Sequence, residues 1–178
     1  MRFRDRLRRT LKAAQARQAH RAGQELVGRG QFEAAIVEFE RALEADPELH
    51  ASRINLASCW YRLALQREQG ILPAWLDEAE KQYRLVLDAA PDQVAAVLGL
   101  AACRHARGRG AEAVALLEPL ARRVPEHRDV NLNLALAYLA AGRHDDALAA
   151  LQRELNAHPD SEQAKQLAER LGLDAADS

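Results

Sequence analysis

Aromatic side chains make up 4% of this chain, and there are two cysteines, one methionine and six prolines in 178 residues. So few cysteines, with no CxxC pair, exclude a disulfide framework and a zinc-ligand cluster. The longest apolar runs, near VAAVLGLAAC and LNLALAYLAA, reach only about half a membrane span. The start, MRFRDRLRRTLK, lacks the apolar core of a secretory signal, so a cytoplasmic protein is expected. Leu56-Ala57-Ser58-Cys59 and Leu100-Ala101-Ala102-Cys103 mimic a lipoprotein cleavage box, but without a preceding signal the matches are accidental. Catalytic signatures are missing as well: there is no HExxH, GxSxG, phosphate-binding loop or strand-bound GxGxxG. A non-enzyme with no cofactor and no metal site is the expectation.

What is present is a wealth of Ala, Leu, Arg, Glu and Gln, all good helix formers, which points to an all-α fold. Charge is unevenly spread. Arg2, Arg4, Arg6, Arg8, Arg9 and Lys12 are opposed by Asp5 alone, so the remainder of the chain is acidic on balance. Phe3, Leu7 and Leu11 recur every four residues among these cations, which predicts a basic amphipathic arm over residues 1–15.

Punctuation residues reveal a repeat. Pro91, Pro125 and Pro159 are 34 residues apart, and Gly30, Gly108 and Gly142 each precede the next such proline by 17. Pro47 lies 44 before Pro91, so the second unit carries ten extra residues. The units are 16–49, 50–93, 94–127 and 128–161, each predicted to be two helices joined at the glycine. Small residues at Gly23, Ala57, Ala101 and Ala135 allow close helix crossing in the first helices. In the second helices, Ala35, Ala79, Ala113 and Ala147 stand four residues before Phe39, Tyr83, Leu117 and Leu151 on one face. Residues 162–178 follow as a helix capped by Asp160 or Ser161, with a stripe of Ala164, Leu167, Ala168 and Leu171 ending at Gly172. Such a helix would cover the open end of a stack.

These columns resemble the tetratricopeptide repeat, W-x2-L-G-x2-Y, then A-x3-F, then P. The fourth unit matches best, through Leu134, Ala135, Tyr138, Ala147 and Pro159, with Leu151 for the aromatic. Leu26 and Arg104 depart from the pattern where an aromatic is usual, and Glu154 occupies a normally small site. The resemblance implies hairpins stacked as a short right-handed solenoid, serving as a protein-interaction scaffold or assembly adaptor. It also implies that first helices line a concave surface for a partner peptide. The residues then facing a ligand include Arg17, His20, Arg21, Gln24, Ile54, Asn55, Tyr61, Leu98, Leu132, Asn133, Leu136 and Leu139. The leucines are unexpected on a solvent-facing wall, unless the arm or the last helix covers them. Asn55 and Asn133 share a column in which an amide can bond a peptide main chain. The carboxylate clamp of chaperone-binding relatives is disfavoured, because His20, Gln24, Asn55, Ala95 and Gly99 stand where cations are needed.

Two further expectations come from the residues themselves. The insertion predicts a longer hairpin in the second unit with Ile71, Leu72 and Trp75 at its tip, packed together or presented as a secondary contact. Pro119, inside a second helix, predicts a kink. The arm supports an alternative function, recruitment to an anionic membrane or nucleic acid.

Overall fold

The computed structural model describes residues 2–66 and 72–172, with side chains from residue 5 onward. Among these residues all regular structure is helical. The helices are α1 Arg2–Gly28, α2 Phe32–Ala45, α3 His50–Leu65, α4 Pro73–Ala89, α5 Val94–Ala106, α6 Gly110–Arg123, α7 Val130–Ala140, α8 His144–Ala157 and α9 Glu162–Arg170. Two compact units result, residues 1–99 and 100–178, and the division falls within α5.

Glycine ends the first helix of a hairpin and proline ends the second, by different physics. Gly30, Gly108 and Gly142 take φ of 73°, 70° and 75°, a left-handed conformation that a Cβ would strain. The next residue then donates its N–H five residues back, Gln31 to Leu26 at 3.0 Å, Arg109 to Arg104 at 2.9 Å and Arg143 to Tyr138 at 2.9 Å. These Schellman closures satisfy carbonyls that the helix end leaves orphaned. Before each of Pro47, Pro91, Pro125 and Pro159, the residue is forced out of the helical region by the proline ring. Asp46, Ala90, Val124 and His158 accordingly have φ between −133° and −142°.

The shared columns become the core. Ala35, Ala79, Ala113 and Ala147 are fully buried, as are Phe39, Tyr83, Leu117 and Leu151 within a few per cent. A Cβ placed on Gly23 would lie 2.6 Å from the Phe39 ring, so that glycine is what lets α1 and α2 close on each other. In the first unit Phe32, Ile36, Phe39, Leu56 and Leu63 form one cluster, with Trp60 and Trp75 against its edge.

No break separates the basic arm from the first repeat helix, because Ala13-Ala14-Gln15-Ala16 contains no stop signal and α1 runs through it for 27 residues. The second hairpin is longer, with 16 residues in α3 and 17 in α4 against 11 and 14 in α7 and α8. Pro73 takes a first-turn position of α4, where its missing N–H costs nothing. Gly70 and Ile71 lie outside the described residues. Pro119 sits inside α6, whose helical run continues from Gly110 to Arg123 across it. At the chain's far end Ser161 is the cap of α9, its Oγ accepting from Ala164 N–H at 3.4 Å. Ala164, Leu167 and Ala168 are buried, and Gly172 at φ 71° ends the turn.

Candidate functional site

In the first unit the expected ligand wall is carried by α1, α3 and the start of α5. Arg17, Arg21 and Gln24 are exposed on α1, while Ile54, Asn55 and Tyr61 of α3 and Leu98 of α5 are half-buried. His20 has a structural role. Its Nδ1 lies 2.8 Å from the Oγ of fully buried Ser52, and its ring stacks at a tilt 5.8 Å from Phe39. Burial lowers the His20 pKa, so the ring favours its neutral form, tying α1 to α3. Gly99 interrupts the asparagine column for a packing reason, since the Tyr83 ring fills the space where any Cβ would go.

In the second unit the wall belongs to α7. Leu136, Leu139 and Asn133 are half-buried, but Leu132 is 4% exposed and serves the core. The expectation that all four leucines face a ligand gives way at Leu132, because α7 is enclosed on most of its circumference: Val130, Asn131, Leu134, Ala135, Ala137 and Tyr138 are buried as well. Asn133 donates its Nδ2 to the Asp129 carbonyl at 2.8 Å, one turn back in the same helix. One amide hydrogen is therefore spent on the helix start, and the other hydrogen and the oxygen remain.

Glu154, the residue at odds with its apolar column, is fully buried, and its function is internal. One carboxylate oxygen accepts the Asp129 N–H at 3.0 Å and the other the Leu132 N–H at 3.2 Å. Asp129 has φ 69° and supplies no side-chain cap to α7, so the α8 carboxylate satisfies the orphaned donors and meets the positive end of the helix dipole. Arg104, the second departure, is buried and pairs with Glu112 at 3.2 Å.

A network missed by sequence reasoning brackets the other end of α7. Tyr138 donates its hydroxyl to Glu118 at 2.9 Å, Arg143 reaches the same carboxylate at 3.1 Å, and Arg143 also bonds Asp146 at 2.7 Å. The Arg143 guanidinium lies 4.4 Å over the Tyr138 ring. Burial, then the Glu118 hydrogen bond, raises the Tyr138 pKa, which keeps the phenol a donor. The four residues come from α6, α7, the turn and α8, and of their contacts only Arg143 to Asp146, at i and i+3, follows a helix spacing rule.

Trp75 packs on Trp60, with ring centroids 6.1 Å apart, at the first unit's apolar edge. Leu72 is half-buried and its N–H closes the turn on the Ala64 carbonyl at 3.2 Å. On α1, Arg6, Arg8, Arg9 and Lys12 are exposed, together with Leu7 and Leu11; the side chains of Arg2 and Arg4 lie outside the described set.

Among the described residues no group of three His, Cys, Asp or Glu is placed to hold a metal ion. Cys59 and Cys103 are buried thiols outside any disulfide, and desolvation pushes Cys59 up to about 11 despite nearby Arg62, so its nucleophilic thiolate is scarce. None of the described helices is long and apolar enough to cross a membrane.

Tetratricopeptide-repeat family models match residues 20–67, 76–128 and 105–171. Protein CTR9 homolog of Arabidopsis thaliana is 34% identical over 104 residues, 58% of this chain and 10% of that protein, so the chain spans about a tenth of that relative. Among solved structures, a thermophilic TPR protein of Thermus thermophilus superposes with a TM-score of 0.74 at 22% identity, covering 89% of this chain and 84% of the other. MamA from Desulfovibrio magneticus gives 0.71 at 16% identity, with 89% and 84% covered. At such identities the structural likeness speaks for the fold. The family matches, the glycine and proline punctuation and the paired helices together place this chain in the tetratricopeptide-repeat family, whose fold serves as a scaffold for protein–protein interaction.

Proposed function

We propose that the chain is an assembly adaptor that holds a peptide segment of a partner protein against the first helices of its hairpins. The observation that carries this reading is the set of half-buried apolar side chains on those helices, Ile54, Tyr61 and Leu98 in the first unit and Leu136 and Leu139 in the second. Exposed Arg17, Arg21 and Gln24 add a polar, basic margin on α1. Buried thiols outside any disulfide suit a reducing compartment, which supports a cytoplasmic setting. Relieving the remaining exposure of two leucines contributes about 2 kcal/mol, which corresponds to about thirtyfold in affinity.

The test is capture of partners from native lysate by the full chain, with their identification, followed by titration of the captured segments. Leu136→Asp with Leu139→Asp should weaken that binding by about thirtyfold or more while helix content is retained. Leu132→Asp should unfold the second unit, because this residue is in the core. An unchanged affinity in the Leu136/Leu139 variant would remove α7 from the site.

A second reading is favoured by the exposed cations Arg6, Arg8, Arg9 and Lys12 at the start of α1, which support contact with an anionic surface.

A further inference from the structure

Among the described side chains, those at the start of α1 are exposed. From Asp5 to Gln15 every residue is exposed except half-buried Ala13, and the first buried residue of the helix is Ala16. Leu7 and Leu11 are 50% and 56% exposed, among the largest exposures of any big apolar side chain among the described residues. The reason is length: α1 has 27 residues and α2 has 14, and Ala45 at the end of α2 lines one hollow with Lys12, Gln15 and Gln18. Residues before Lys12 thus reach beyond α2, by about 15 Å at 1.5 Å per residue.

Their arrangement is specific. Leu7 and Leu11 are one turn apart on one face, and at about 100° per residue Arg6 and Arg8 flank Leu7 on opposite sides. Lys12 flanks Leu11, and Arg9 lies behind. Thr10, near the apolar face, returns its hydroxyl to the Arg6 carbonyl at 3.0 Å, so it brings no unsatisfied donor there. A narrow apolar stripe edged by cations is the pattern of a helix lying in the headgroup layer, with leucines toward the acyl chains and basic side chains reaching phosphates. A nucleic acid would use the cations and leave the leucines idle. A second copy of the same helix would bring like charges together.

We propose that the overhanging start of α1 docks on an anionic lipid bilayer, with Leu7 and Leu11 inserted and Arg6, Arg8, Arg9 and Lys12 on the headgroups. This rests on the anionic-surface reading above and narrows it to lipid. The acidic balance of the rest of the chain is repelled by the same surface, so the overhang is the part that engages and the hairpins stay in water. Two leucines and a handful of cations give reversible, salt-sensitive attachment.

The experiment is flotation of the full chain with phosphatidylcholine vesicles, with and without phosphatidylserine, beside anisotropy titration of a single-stranded oligonucleotide. The full chain should float with phosphatidylserine vesicles only. Arg6→Gln with Arg8→Gln should lower partition about thirtyfold, at roughly fivefold per cation. Leu7→Ser with Leu11→Ser should lower it at least tenfold. Circular dichroism of each variant should match the parent, since none of these side chains is in the core. Partition that ignores the leucines but needs the arginines overturns lipid insertion while leaving the electrostatic reading standing. Absence of flotation overturns insertion too, and absence of both flotation and oligonucleotide binding ends both. Oligonucleotide binding tighter than vesicle binding transfers the site to nucleic acid.

Discussion

Exchanging Glu154 for glutamine changes one atom type at a fully buried position and tests how the second unit holds α7. In the native chain the two carboxylate oxygens accept from Asp129 N–H at 3.0 Å and Leu132 N–H at 3.2 Å. A charge-assisted bond of this kind contributes about 1.5–3 kcal/mol, and leaving a buried donor unmet costs about 1–3 kcal/mol. Glutamine keeps one acceptor and turns an NH2 toward the other N–H, so one bond weakens and one is lost. Relief from burying a charge offsets part of this, which leaves a net loss of about 2 kcal/mol. Glu154→Ala loses both acceptors and opens a cavity, so it should cost more than the glutamine change, about 3–5 kcal/mol. For a chain of this length, 2 kcal/mol corresponds to a fall in melting temperature of roughly 4–8 °C. Thermal and urea unfolding followed by circular dichroism would read the order native, glutamine, alanine. A glutamine variant as stable as the native chain would refute the reasoning, for then the carboxylate tolerates its site without capping anything.

Gly99→Ala should destabilise the first unit although alanine is the better helix former by about 1 kcal/mol, because the new methyl has the Tyr83 ring in its place and overpacking costs about 1–3 kcal/mol; a higher melting temperature would show that the ring moves aside freely. Asp160, held by Arg128 through two contacts of 3.0 Å, has its pKa lowered chiefly by that hydrogen bond. Its contribution is therefore present above the ordinary carboxylate range and is lost as pH falls through the lowered value. In Arg128→Ala the Asp160 titration followed by NMR should move up toward the ordinary range, and an unmoved titration would leave the pair without electrostatic consequence.

The fold was legible because its punctuation is local. A glycine that must take positive φ and a proline that forbids a helical predecessor act within a few residues, so Gly30, Gly108, Gly142 and the prolines that follow announce helix ends directly. The site was less legible because exposure on a first helix depends on what other helices do. Leu132 and Leu136 have the same side chain one turn apart on α7, yet one is in the core and the other is half-buried. Asn133 resembles a main-chain reader by column, but one of its amide hydrogens goes to the Asp129 carbonyl one turn back in its own helix. Glu154 left one trace in the sequence, a carboxylate in a column with Ala42, Val86 and Leu120, and a charge in a buried column means a partner close by. Its partners are backbone groups, which no side-chain pattern names.

The two units solve the packing problem with different materials. Phe32, Phe39, Trp60, Tyr61, Trp75 and Tyr83 are all in the first, whereas Tyr138 is the single Phe, Trp or Tyr after residue 99. With little aromatic area to bury, the second unit fastens α7 by polar contacts at both ends, Glu154 at its start and the Schellman turn with Arg143 on Tyr138 and Glu118 at its finish. Polar contacts of this kind are directional, so they fix orientation as well as position. That bears on the proposed adaptor role. Affinity for a peptide is reduced by whatever ordering the receptor must undergo on binding, and a wall already fixed at both ends needs little. Leu136 and Leu139 stand on such a wall, so their contribution should reach a ligand largely undiminished. The start of α1 has no such fixing, which suits a surface that adapts to lipid better than one that must recognise a peptide.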